Sequence, residues 1–190
     1  IILAYLIGSI PTAVWIGKAF YNIDVRKRGS GNAGATNTMR VLGWKAGTPV
    51  LLIDAFKGWF AIYLSVLFAV DIPDQDLFVL FQILLGVAAV IGHVFPVFAR
   101  FKGGKGVATL FGVGLYLYPV AVLILLGVFT TLLIITGFVS LSSIIAAILF
   151  PVIEILILGH NQQLYLMLLS IAVGIFLPVT HRKNIARLLK

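Results

Sequence analysis

Residues 28–40 read R-G-S-G-N-A-G-A-T-N-T-M-R, three glycines among short hydroxyl and amide side chains, with an arginine at each end and no acid. Such a stretch suits an anion. Glycine lets the main chain pass through positive φ and approach a ligand closely, and successive N–H groups can then form a concave nest for phosphate oxygens. A solvated linker has no need of Asn32, Thr36, Asn37 and Arg40 interleaved with glycine, so the segment reads as functional.

Residues 100–106, R-F-K-G-G-K-G, offer the same chemistry. They lack the G-x-x-x-x-G-K-[ST] spacing and any preceding strand pattern, which excludes a nucleotide-hydrolysis loop. The plain alternative is a flexible basic loop at a helix end. The functional reading sets its N–H groups at the start of a helix beginning at Val107, where Lys105 and the helix dipole favour a phosphate.

Other candidates are fewer. Asp54 and Lys57 lie three apart on one helix face and read first as a structural ion pair inside a span, ahead of direct catalysis. His93 ends an apolar run and reads as a hydrogen-bonded structural residue, and His160 falls in an outer turn without a role. His181, beside Arg182 and Asn184, is the histidine to which a role is given. Ser140, Ser142 and Ser143 mark a turn; capping of the next helix is the default, with access to the site as the alternative. No metal is expected from three separated histidines and six scattered acids, and no G-x-S-x-G elbow supports a Ser-His-Asp hydrolase. The His-x-x-x-x-Asp pair of another acyltransferase class is missing too, since Phe98, Tyr165 and Ala186 stand five residues after the three histidines. No side chain is an evident general base.

The elements that carry these residues are membrane helices. The chain is 61% hydrophobic and only 11% charged, far below the quarter usual in soluble domains. Its net charge of +8 sits beside apolar runs, where basic residues set topology and meet anionic lipid, so nucleic acid is not expected as a partner. Cysteine is absent, which leaves no disulfide framework. The apolar start is read as a span, not as a cleaved signal peptide. The runs predict an all-α bundle of seven transmembrane helices, at 1–20, 48–70, 77–99, 107–118, 119–138, 143–158 and 164–179, broken at Tyr118-Pro119 because the residue before proline leaves helical geometry. Five helices are the alternative, with 107–138 as one and 143–158 re-entrant. With the N-terminus outside, twelve of the fourteen basic residues fall on the cytoplasmic side. The 107–118 helix would be short, ~18 Å against ~30 Å of hydrocarbon. Residues 181–190 can form an amphipathic interfacial helix.

These residues resemble a known family. G-S-I-P at 8–11, D-V-R at 24–26, the 28–40 segment, D-A-F-K-G at 54–58, G-H-V-F-P-V-F at 92–98, F-K-G-G-K-G-V-A-T at 101–109 and H-R-K-N-I-A-R-L-L at 181–189 are similar, in order and over nearly the full chain, to the bacterial acyl-phosphate-dependent glycerol-3-phosphate acyltransferases. The resemblance implies one inner-membrane acyltransferase domain over 1–190, with its site on the cytoplasmic face and no cofactor. It would move a fatty acyl group from acyl phosphate to the 1-hydroxyl of glycerol 3-phosphate, giving lysophosphatidic acid for phospholipid synthesis. Its substrates and membrane lipid would be its partners. Carried over by motif, Ser30, Gly31, Asn32, Thr36, Asn37 and Arg40 would bind phosphate, and Gly103, Gly104, Lys105 and Gly106 would cradle glycerol 3-phosphate. Ser142, His181, Arg182 and Asn184 would complete the site, with Ser30, Arg40, Lys105, His181 and Asn184 nearest the chemistry. Thr180 departs from the family, which often has a basic residue there. The rival class is a transporter or scramblase of a phosphorylated metabolite or lipid.

Overall fold

The computed structural model describes residues 1–68, 70–159 and 163–188, so the expectations for His160 and for the last two residues of the basic tail fall outside the described residues. Every described element is helical. Contacts divide the chain into two compact units, Ile1–Asp71 with Leu84–Tyr116, and Ile72–Ile83 with Leu117–Lys190.

The first unit opens with α1 (Ile2–Gly8) and α2 (Thr12–Tyr21), separated where Pro11 cannot donate to the helical ladder. After a one-turn 3₁₀ helix at Val25–Lys27 come α3 (Ala35–Leu42) and α4 (Trp44–Leu67). The unit also holds the C-terminal part of α5 (Gln75–Val94) and α6 (Val107–Leu117). Small residues let these helices touch backbone to backbone, as expected where lipid supplies no hydrophobic drive. A side chain at Gly58 would collide with the carbonyl of Thr109, and one at Gly112 with that of Ala55, so α4 and α6 cross at contact distance. Gly8 against Ala89, and Gly92 against Tyr5, do the same for α1 and α5.

The second unit holds α7 (Pro119–Thr136), α8 (Val139–Val152) continued by a π-helical turn at Ile153–Ile157, α9 (Leu164–Thr180) and α10 (Arg182–Leu188). Pro119 starts α7 at its first position, where a missing N–H costs nothing. Tyr118 donates its hydroxyl to the Leu166 carbonyl at 2.7 Å and meets Phe150 edge-on, tying α9 and α8 to this start.

Five stretches are long and apolar enough to cross a membrane: Ile2–Tyr21, Trp44–Leu67, Gln75–Ala99, Pro119–Thr136 and Val139–Ile157. A sixth counts if α9 and α10, bent by 61° at Thr180–His181, are one span, while α6 stays a shorter apolar helix of 11 residues. The sequence expectation of a loop from 21 to 47 changes most: α3 occupies its second half and α4 begins at Trp44, four residues before the expected boundary. α8 likewise starts at Val139, so its N-cap is Phe138 with no side-chain capping bond, and the serines do not cap it.

Candidate active site

The 28–40 segment is held from both ends. The Asp24 carboxylate accepts from the Arg26 main-chain N–H at 3.0 Å and pairs with its guanidinium at 3.0 and 2.8 Å, while Arg26 Nη1 donates to the Ala99 carbonyl at 2.9 Å. The D-V-R motif is therefore a brace. The Arg26 guanidinium holds the Asp24 carboxyl at about 2, below its ordinary 3.8, against the opposing effect of burial. Gly29 and Gly31 then turn through φ of +58° and +75°. A side chain at Gly29 would also strike Asn37 Oδ1, so that position requires glycine twice over.

Asn37, buried on α3, is the clamp of the loop. Its Oδ1 accepts from the Ser30 N–H at 2.8 Å, and its Nδ2 donates to the Val25 and Arg28 carbonyls at 2.9 and 3.2 Å. Both amide hydrogens are engaged within the loop, so Asn37 holds the loop's shape. Gly31 contributes its N–H to the Arg28 carbonyl at 3.0 Å. Ser30, Asn32, Thr36 and Arg40 keep side chains without a hydrogen bond to described residues. Thr36 and Arg40, one helical turn apart on α3, present an exposed hydroxyl and guanidinium on one face.

The second glycine segment docks on the end of α5. The Gly103 N–H donates to the Val94 carbonyl at 3.2 Å and the Gly104 N–H to the His93 carbonyl at 3.1 Å, satisfying two last-turn carbonyls that a helix leaves open. These two N–H groups are therefore engaged by the end of α5. Gly104 is packed tightly: an added Cβ would overlap His93 Nε2 and lie 3.1 Å from the Ala33 carbonyl oxygen. The two glycine segments thus adjoin at Gly104 and Ala33.

Behind them, Asp54 and Lys57 form the expected ion pair at 2.8 Å, and the same carboxylate oxygen accepts from Thr12 Oγ1 at 3.0 Å and lies 3.7 Å from His93 Nδ1. Sequence reasoning paired the first two residues but had no signal for Thr12 or for a link to His93. It also passed over an open hollow of about 410 Å³ bounded by Lys18, Asn22, Ile23, Asp24, Lys27 and Arg28, a basic surface preceding the first glycine segment.

In the second unit, His181 ends α9, buried, with Nδ1 2.8 Å from the Leu177 carbonyl. A carbonyl only accepts, so Nδ1 carries a hydrogen and a neutral ring presents Nε2 as its basic nitrogen. The Asn184 N–H bonds the His181 carbonyl at 2.7 Å, and Arg182 is exposed at the start of α10. Ser142 is fully buried and gives its hydroxyl hydrogen to the Phe138 carbonyl at 3.0 Å, leaving it as an acceptor.

The whole chain, residues 1–190, matches the family model described as glycerol-3-phosphate acyltransferase. It belongs to that family. A glycerol-3-phosphate acyltransferase of Fusobacterium nucleatum is 46% identical over 189 residues, spanning 100% of this chain and 92% of the relative. One from Streptococcus pyogenes is 42% identical over 195 residues, spanning 99% and 87%. Among solved structures, PlsY (YgiH), an integral membrane glycerol 3-phosphate acyltransferase, is similar in its glycerol 3-phosphate form with a TM-score of 0.84 and 38% identity, over 99% of this chain and 89% of that one. Its lysophosphatidic acid form gives 0.79 and 37% over the same shares. Family membership replaces the carrier alternative, and this acyltransferase is a multi-pass membrane protein.

Proposed function

We propose that this acyltransferase uses acyl phosphate as its donor and esterifies the 1-hydroxyl of glycerol 3-phosphate, releasing lysophosphatidic acid and inorganic phosphate. The observation that carries the reading is the meeting of two anion-suited glycine segments at Gly104 and Ala33 in one unit, matching a reaction whose two substrates each bear a phosphate. The forms in which the PlsY relative was solved, with glycerol 3-phosphate and lysophosphatidic acid, agree with the acceptor and product.

In the proposed reaction the 1-hydroxyl oxygen bonds to the acyl carbonyl carbon, the acyl–phosphate C–O bond breaks, and the hydroxyl proton goes to a phosphate oxygen. The donor brings its own leaving group, so catalysis needs positioning and charge neutralisation more than a strong base. Arg40 and Lys105 supply the charge, Ser30, Gly31, Asn32 and Thr36 the short donors, and Gly106 opens the helix at the glycerol 3-phosphate phosphate. In the second unit, Ser142, His181, Arg182 and Asn184 take their roles from the resemblance. Seven crossings, an outside N-terminus, a cytoplasmic-face site in the bacterial inner membrane and a single catalytic domain belong to the same proposal.

Detergent-purified protein given glycerol 3-phosphate and palmitoyl phosphate, with no sealed compartment, is expected to form lysophosphatidic acid. Retained binding of both substrates with total loss of turnover in a His181→Ala or Asp54→Asn variant would overturn the base-free mechanism.

A further inference from the structure

Four polar side chains form a buried chain that the reaction as described does not use. Asp54, Lys57 and His93 are 1%, 4% and 6% exposed, and Thr12 5%. The chain starts at the break between α1 and α2, where the Ile10 carbonyl accepts from Lys57 Nζ at 3.1 Å and from the Thr12 N–H at 3.0 Å. It continues through Asp54, which receives Thr12 Oγ1 and Lys57 Nζ on one oxygen. At 3.7 Å from that oxygen stands Nδ1 of His93, an ion-pair separation too long for a hydrogen bond. The opposite edge of the ring, at Nε2, rests on Gly104, and the His93 carbonyl receives the Gly104 N–H at 3.1 Å. So a line of polar groups from α2, α4 and α5 ends on the residue before Lys105.

A buried ion pair is weak grounds for stability, because well-packed apolar residues of similar volume often serve as well or better. What ions and hydrogen bonds add is direction. The geometry points to Thr12, Lys57, Asp54 and His93 as a positioning unit for glycerol 3-phosphate: Asp54 sets the His93 ring, the ring and its carbonyl set Gly104, and Gly104 sets Lys105. His93 is a positioning residue here, acting through the loop. This inference rests on the reading that Lys105 meets the glycerol 3-phosphate phosphate, and it extends that reading to groups one layer behind.

The test is isothermal titration of the full-length protein in detergent with glycerol 3-phosphate, alongside steady-state kinetics with whichever acyl donor turns over and a thermal unfolding scan. His93→Ala is expected to raise the Kd and KM for glycerol 3-phosphate about tenfold while kcat and the donor KM stay within twofold. His93→Gln, whose amide reaches the Nε2 position, is expected to recover most of that loss. Thr12→Val, which removes only the hydroxyl bond to Asp54, is expected to shift the same constant about threefold. A fall in unfolding temperature with unchanged Kd in His93→Gln and Thr12→Val would overturn the inference and leave a structural network, as would equal losses for both substrates. If His93→Ala does not fold, those two variants decide by the same constant. A wrong donor assignment shows instead in the unmodified protein's choice of donor, and leaves the comparison of glycerol 3-phosphate Kd values intact.

Discussion

Gly104→Ala tests the packing that joins the two glycine segments. The added methyl would overlap His93 Nε2, with Cε1 at 2.9 Å and the Ala33 carbonyl oxygen at 3.1 Å, and none of these neighbours is the free end of a flexible chain. His93 is backed by Asp54 at 3.7 Å, and its main chain is hydrogen-bonded to Gly104 itself, so the loop must move. Overpacking of this kind costs about 1–3 kcal/mol. If that energy is taken from the bound geometry of Lys105, glycerol 3-phosphate affinity falls by about 5–150-fold. The assay is the KM for glycerol 3-phosphate at saturating donor, with Gly127→Ala as control. A side chain at Gly127 meets nothing within 4 Å, and alanine in a helix interior is favoured over glycine by roughly 0.5–1 kcal/mol, so the control should be neutral or slightly more stable. An unchanged KM in Gly104→Ala would show that packing at Gly104 does not set the glycerol 3-phosphate site.

The ion pair makes its own prediction. Asp54→Ala leaves Lys57 buried and uncompensated, at about 3–5 kcal/mol; with about 2–4 °C per kcal/mol for a chain of this size, the unfolding midpoint should drop by at least about 6 °C. Asp54→Leu with Lys57→Met should recover much of that stability without restoring normal glycerol 3-phosphate affinity, and recovery of both would contradict the positioning role. Asn37→Ala removes three hydrogen bonds and takes from the Ser30 N–H its Asn37 acceptor, while the Val25 and Arg28 carbonyls keep their main-chain donors, at about 1–3 kcal/mol for an unsatisfied group. Turnover and the unfolding midpoint should therefore fall together, and loss of affinity alone would mark Asn37 as a direct phosphate contact. The Asp24 carboxyl sits at about 2 in the fold against an ordinary 3.8, so its stabilisation is complete above about pH 4 and disappears as the pH falls through 2. The midpoint advantage of the unmodified protein over Asp24→Asn should follow that window; an advantage independent of pH would show that the brace does not depend on charge.

Most of the membrane helices were legible because a long apolar run leaves few alternatives: α4, α5, α7 and α8 fall near their expected places. α3 was not, because Ala35–Leu42 is no apolar run and carries Asn37 and two threonines, residues that usually favour loops. Its helical state comes from packing on α4, where a side chain at Gly47 would run into Met39. The site divides along the same line. Residue types and the glycine pattern marked both loops, and the three-residue spacing marked Asp54 with Lys57. Spacing says nothing about which way a donor points, so the internal bonds of Asn37 and of the Gly103 and Gly104 N–H groups were not legible in it. Nor could it join Thr12, Asp54 and His93, about forty residues apart along the chain and brought together only by the crossing of α2, α4 and α5.

The central claim is the donor. Purified protein supplied with glycerol 3-phosphate and either palmitoyl phosphate or palmitoyl thioester, followed for lysophosphatidic acid and inorganic phosphate together, tests it most directly. Product is expected from palmitoyl phosphate alone, with one phosphate released per ester formed. Product from the thioester alone would keep the acyltransferase and contradict the acyl-phosphate mechanism.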